Sequence, residues 1–197
     1  MKKLKNIRKL EIMEHFHKVV NEYGFSGTTL AKVAKSLEIN PSLLLHYYKS
    51  KEKMIVGFAD FIICKYESFY LLRMDSMSVP ADRLEYLLDT LLFERGDVEE
   101  LVSDRGFYEC YALCITHPQV KKKFQHFYDR FRKALTKELS NLKDAGVIKT
   151  ENAELASGLL IVLLEGKDFY GNMTEDEASY SRLRKYIKEV AYKIFST

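Results

Sequence analysis

Proline and glycine are scarce in this 197-residue chain, with three and nine copies. No stretch of strict apolar–polar alternation is bounded by hairpin turns, which argues against a fold built from strands. No run of 18 apolar residues occurs. The longest, ASGLLIVLL, suits a buried helix and is too short to span a bilayer. The three cysteines, Cys64, Cys110 and Cys114, form an odd set with no CxxC, so a disulfide framework is not expected. The start, MKKLKNIRKLEIMEHFHK, is basic but has no uninterrupted apolar core or small-residue cleavage site. It does not read as a signal peptide, and a cytoplasmic protein is expected. A Gly-rich phosphate loop, HExxH and GxSxG are all missing, which argues against an enzyme. Cys110, Cys114 and His117 fall on one side of a helix, yet three ligands on one helix rarely close a metal site. Free cysteine more often serves as a small buried apolar residue. No cofactor and no metal are expected.

What is present reads as helix. Apolar residues make up 47% and charged residues 30%, the balance of a soluble globular protein. The spacing predicts a first helix over about Lys5 to Tyr23, with Ile12, Phe16, Val19, Val20 and Tyr23 on one side and Gly24 as its stop. Thr28 or Thr29 can cap a short second helix through Leu37. Asn40 can cap a third, with Pro41 at its first position, and Ser50 a fourth from Lys51 to about Met74. Longer helices follow. One starts at Pro80 and stops before Gly96; another covers roughly 98–116, with a possible interruption at Gly106. The next is closed by Gly146. The helix over about 153–169 is apolar almost all round over 155–164, and the last covers about 179–195.

Charge is uneven along the chain. Residues 1–51 hold ten Lys and Arg against four Glu, a net of +6, leaving −3 for the remainder. A basic end on a mildly acidic chain points to a polyanion. The same end holds two short helices joined by a tight turn, a helix-turn-helix. In INPSLLLHYYKSK, Leu44 and Tyr48 are four residues apart and should face inward together. Pro41, Ser42, Leu43, His46 and Tyr47 should then face DNA, with Leu43 suited to a thymine methyl and His46 to a base edge or phosphate.

The segment TTLAKVAKSLEINPSLLLHYYKSKEKMI resembles the DNA-binding half of TetR/AcrR-type transcriptional regulators. The family's usual landmarks appear here as Gly24-Phe25, Thr28-Thr29, Val33-Ala34, Leu45-His46-Tyr47-Tyr48 and Ser50-Lys51-Glu52. The resemblance covers about residues 10–58. It implies an all-α fold with a helix-turn-helix domain over 1–50 and a helical effector-binding and dimerisation domain over 51–197. It further implies a homodimeric regulator of double-stranded DNA, most simply a repressor released from a palindromic operator by a small molecule. Thr28, Thr29, Asn40, Pro41, Ser42, Leu43, His46, Tyr47 and Lys51 are the expected DNA contacts. The chain departs from the family at Leu37-Glu38, where Ala-Gly is usual. If the backbone there needs positive φ, the non-glycine costs about 1 kcal/mol.

In the second half, aromatic residues recur at helical spacing and could line a ligand site of apolar walls with a few polar anchors. Tyr66, Tyr70, Phe107, Tyr111, Phe127 and Glu165 are the candidate ligand contacts, Glu165 as a partner for a cation. The two final helices should pair across a two-fold axis. The alternative is an architectural DNA-binding protein with a filled C-terminal core and no effector.

Overall fold

In the computed structural model, residues 2–72, 79–92 and 104–196 are described. They form nine helices, and among them there is no strand: α1 (Lys2–Gly27), α2 (Leu30–Ser36), α3 (Pro41–Tyr48), α4 (Lys51–Leu72), α5 (Pro80–Leu92), α6 (Asp104–Leu113), α7 (Pro118–Asp144), α8 (Ala153–Met173) and α9 (Glu177–Ser196). The expected helix limits at Met74 and Gly96 lie outside the described residues. None of the described helices is long and apolar enough to cross a membrane.

The chain packs as two compact units, residues 1–66 with 98–127, and residues 67–97 with 128–197. The packing therefore does not divide at residue 50, the boundary expected between functional domains. The first unit keeps α6 and the start of α7 with the helix-turn-helix. Its core is aromatic. The rings of Phe16 of α1, Phe25 beyond the α1 break and Phe58 of α4 meet at tilted and edge-on angles, with centroids 5.1–6.0 Å apart. Ile12, Val20, Leu44, Met54 and Ile62 fill the space around them.

Gly24 breaks α1 as its sequence position suggested. Its φ of 68° and ψ of 174° lie outside the helix, and a further turn runs to Gly27. Tyr23 departs from expectation. It is exposed, and the Lys32 ammonium sits 3.6 Å from its ring centre. A cation over a ring face is attractive at the surface, so the ring need not enter the core. α6 begins at Asp104 and continues through Gly106 without a break. The glycine there allows close packing instead: a Cβ would stand 3.0 Å from His17 Nε2 of α1.

The second unit is more aliphatic. Leu84, Leu88 and Leu91 of α5, Leu135, Leu139 and Leu142 of α7, Leu160 and Leu164 of α8, and Ala191 and Phe195 of α9 are all buried. Arg83 Nε donates to Glu138 Oε1 at 2.7 Å, pairing a carboxylate that would otherwise be buried alone. At Gly171 a Cβ would run into the Tyr180 ring, and the Tyr180 hydroxyl donates to Lys167 O at 3.0 Å.

Candidate DNA interface

α2 and α3 are capped as their sequences suggest. Thr29 is the N-cap of α2, its hydroxyl accepting from Lys32 N at 3.2 Å. Asn40 caps α3, its side-chain oxygen accepting from Ser42 N at 3.0 Å and from Ser42 Oγ at 2.9 Å. Pro41 follows at the first helical position, where its missing N–H costs nothing. Ser50 Oγ accepts from Lys53 N at 3.1 Å to start α4. The turn between α2 and α3 is closed by Glu38 N donating to Lys35 O and Ile39 N to Ala34 O. Within it Glu38 takes φ +56°, so a non-glycine does occupy a left-handed position.

This frame orients α3. Leu44 is fully buried, holding the helix against its neighbours, while Pro41, Ser42, Leu43, Leu45 and His46 are exposed. The tyrosine pair is less cleanly divided than expected, because both rings are half-buried. Tyr48 is the anchored one. Its hydroxyl donates to Lys9 O at 3.2 Å, and Gly57 makes room for its ring, since a Cβ there would stand 2.7 Å from Tyr48 Cε1. Burial, helped by the Asp60 charge, pushes the Tyr48 hydroxyl up to about 12. Tyr47 lies edge-on to the exposed His46 ring, with centroids 5.4 Å apart. Lys49 ends the helix in the left-handed region at φ +58°, and Lys51 is exposed.

Of the nine expected DNA contacts, Thr29, Asn40, Pro41, Ser42, Leu43, His46 and Lys51 lie at the surface. Thr28 does not. It is buried, and its hydroxyl donates to Gly24 O at 2.6 Å, so it ties the α1 break to α2. Sequence reading missed the clamp on that break. Glu109 Oε2 of α6 accepts from Phe25 N at 3.1 Å, and Arg105 Nη1 donates to Asn21 O at 2.8 Å. Both join residues 84 positions apart, and no local pattern signals them.

The six expected ligand contacts fall in both units. Tyr66, Phe107, Tyr111 and Phe127 belong to the first unit. There Tyr66 and Phe107 are 4.7 Å apart, with Phe127 6.4 Å from Tyr66 and Tyr111 6.4 Å from Phe107. Tyr70 and Glu165 belong to the second unit, Tyr70 against Phe131 at 5.5 Å. Glu165 accepts from the Tyr128 hydroxyl at 2.8 Å. Burial raises its carboxyl above the usual range, against the lowering effect of that hydrogen bond. Cys110 is fully buried, and burial pushes its thiol up.

A short, capped helix held by one buried leucine and presenting Ser42, Leu43 and His46 outward, in a basic setting, is the arrangement of a helix-turn-helix DNA-binding regulator. The comparisons identify which kind. Residues 12–57 match the family model for bacterial regulatory proteins of the tetR family, and residues 81–197 match the tetracyclin repressor-like C-terminal domain. The chain belongs to the TetR family of transcriptional regulators, which are DNA-binding proteins and not enzymes. A search of curated proteins finds no match. Among solved structures, a TetR transcription regulator from Haloarcula marismortui is 19% identical, covers 95% of this chain and 98% of its own, and has a TM-score of 0.81. A transcriptional regulator from Saccharomonospora viridis, solved in complex with choline, is 13% identical over all of both chains with a TM-score of 0.83. A TetR family regulator from Cytophaga hutchinsonii is 15% identical over 98% of this chain and 97% of its own, with a TM-score of 0.81. At these identities the likeness is one of fold.

Proposed function

We propose that this regulator is a cytoplasmic repressor that holds a near-palindromic operator as a homodimer and leaves it when a small molecule binds. Residues 1–50 serve as its DNA-binding part and residues 51–197 as its effector-binding and dimerisation part. The observation that carries the reading is the outward side of α3, where Ser42, Leu43 and His46 stand free of the core that buries Leu44. Leu43 meets thymine methyls and His46 a base edge. Thr29, Asn40, Pro41, Tyr47 and Lys51 fix the helix against phosphates. Thr28 is left out, because its hydroxyl is already committed inside.

Dimerisation is supported by α8. Leu155, Leu159, Val162, Gly166, Phe169 and Met173 are all exposed. Their spacing of four, three, four, three and four is the a/d seam of two packed helices. Tyr186 and Ile194 of α9 are exposed apolar residues as well. Two-fold pairing through α8 and α9 would set two α3 helices in successive major grooves, about 34–36 Å apart. The effector half of the reading is supported by the aromatic residues of the second unit, where Tyr70 meets Phe131 at 5.5 Å. The choline complex belongs to the Saccharomonospora protein, and gives a precedent for a ligand in this fold.

Fluorescence anisotropy with a near-palindromic duplex, titrated at several salt concentrations, tests the DNA reading. Basic side chains on phosphates release counterions, so affinity should fall steeply as salt rises. Affinity that is flat with salt, or no binding at low salt, would remove it.

A further inference from the structure

Two hydroxyls of the second unit, Tyr86 Oη and Thr90 Oγ1, are buried with no hydrogen-bond partner among the described residues. They lie four residues apart on α5 and so on one side of it. Both line one narrow crevice, against Tyr70 of α4 and Phe131 of α7. Leucines of α5 and α7 complete its walls. Thr90 is only 4% exposed. Buried hydroxyls nearly always find a partner, because leaving one unserved is costly. Two on successive turns of one helix need a reason. Bridging water would be the ordinary one, but the walls stand too close to admit a water molecule.

We infer that this crevice is the effector site, and that its ligand is a small uncharged molecule with an apolar body and one hydrogen-bonding head, such as a phenol or a cyclic alcohol. The inference rests on the effector reading above and names its chemistry. Rings and leucines give apolar walls, and the two hydroxyls can donate and accept together. The lining includes no carboxylate, ammonium or guanidinium. A charged head would therefore enter without a counter-ion, which burial strongly disfavours. Glu165, the anionic candidate in the same unit, is not part of the wall. A guest must part the walls, and the parted form gains hydrogen bonds that the closed form lacks. That difference is what a ligand needs to shift a protein between two conformations.

Thermal unfolding and calorimetric titration of the full chain with phenol, toluene and choline test it. Phenol should bind saturably and raise the melting temperature. Toluene, which lacks the head, should bind about tenfold more weakly or worse, and choline should not bind. Thr90→Val and Tyr86→Phe should fold at least as well as wild type, since each removes an unserved hydroxyl at nearly constant shape. Each should weaken phenol about tenfold. Choline binding without phenol binding overturns the inference. So does phenol binding that is unchanged in the double variant, or a loss of stability in both single variants, which would mean the hydroxyls are already partnered. Operator titrations on the same protein keep the two readings apart. Tight operator binding with no response to phenol defeats the crevice assignment and leaves the regulator standing. Phenol binding without any duplex binding defeats the effector role through the regulator reading itself.

Discussion

α3 and α8 both leave large apolar side chains in water, but in different company. On α3, Leu43 and Leu45 are 37% and 40% exposed, and their neighbours are Ser42, His46 and Lys49. On α8 the exposed residues run as a continuous stripe from Leu155 to Met173, with Gly166 in the series and, among the described residues, nothing within 4 Å of where its Cβ would be. Single apolar groups in a basic, polar setting suit a groove that offers methyls among phosphates. An unbroken seam suits another helix, which removes the whole stripe from water at once. The same kind of residue thus serves two different partners, and its neighbours decide which.

The largest expected effect comes from breaking the seam. Leu159→Asp puts a charge within it, and Ile187→Asp puts one beside the exposed Tyr186 of α9, where Ile187 is half-buried. Either variant should sediment as a monomer while keeping its helical content. Its operator affinity should fall by roughly a hundredfold or more, because the second half-site no longer binds as a tethered neighbour. A variant that remains dimeric at micromolar concentration would put the partner surface elsewhere, as would a wild-type protein that sediments as a monomer.

Next in size are changes at the tyrosine pair, which sharpen the α3 side of the comparison. Tyr48 is half-buried and hydrogen-bonded to Lys9 O, so Tyr48→Ala should cost about 2–3 kcal/mol, below the range for a fully buried aromatic. Tyr47→Ala should cost less than about 1 kcal/mol and still weaken operator binding. Lys51→Ala should resemble Tyr47→Ala, through loss of a phosphate contact. Urea melts and anisotropy on the three variants separate anchoring from contact. Were Tyr47→Ala to unfold the domain while Tyr48→Ala stayed silent, the assignment of Ser42, Leu43 and His46 to the groove would fall.

On the inner side of α8, Glu165 offers a pH test. Its folded carboxyl lies above the ordinary value of 4.5, chiefly from burial. The folded state therefore holds this proton more tightly than the unfolded one. The stability that this gives is complete below about 4.5 and is lost as pH rises through the folded value. Glu165→Gln should be more stable than wild type at neutral pH, with the gap closing toward pH 4.5. Its amide oxygen can still accept from the Tyr128 hydroxyl. Urea denaturation of both proteins between pH 4.5 and 8 checks this, and a constant difference across the range would mean that the carboxyl does not carry the effect.

The legible features were those that local chemistry decides. The caps at Thr29, Asn40 and Ser50, the break at Gly24 and the inward Leu44 each follow from a residue and its near neighbours. So did the two final helices, whose excess of apolar residues is visible in the sequence. What escaped was decided by distant partners. Thr28 looked like a surface cap, but its hydroxyl turns to Gly24 O, and Thr29 takes the cap alone. Tyr23 fits the apolar period of α1, yet Lys32 covers it at the surface. The Glu109 and Arg105 clamp on α1 and the paired hydroxyls of Tyr86 and Thr90 depend on which helices meet. Helical spacing gave six ligand candidates, and spacing alone does not say which of them borders the crevice beside Tyr86 and Thr90. Only Tyr70 of the six lines it.

The smallest expected effect lies in the turn that aims α3. α8 is entered through an extended Asn152 cap, whereas α3 is reached through Glu38 at φ +56°. A side chain in that region crowds its own carbonyl, which disfavours it by about 1 kcal/mol, and glycine carries no such penalty. Glu38 is exposed, and the turn is held by backbone bonds from Glu38 N to Lys35 O and Ile39 N to Ala34 O. Glu38→Gly keeps both. Relief of the strain favours the variant, while the added freedom of glycine in the unfolded chain offsets part of the gain. The net should be a stabilisation of up to about 1 kcal/mol, read as a higher urea midpoint at constant slope. Removing one negative charge beside the DNA face should also raise duplex affinity slightly at low salt, and this part should fade as salt rises. Glu38→Ala separates the two effects, since it removes the charge and keeps the strain. If Glu38→Gly and Glu38→Ala melt alike, the left-handed turn costs this protein nothing, and the departure from the family's glycine is neutral for the way α3 is presented.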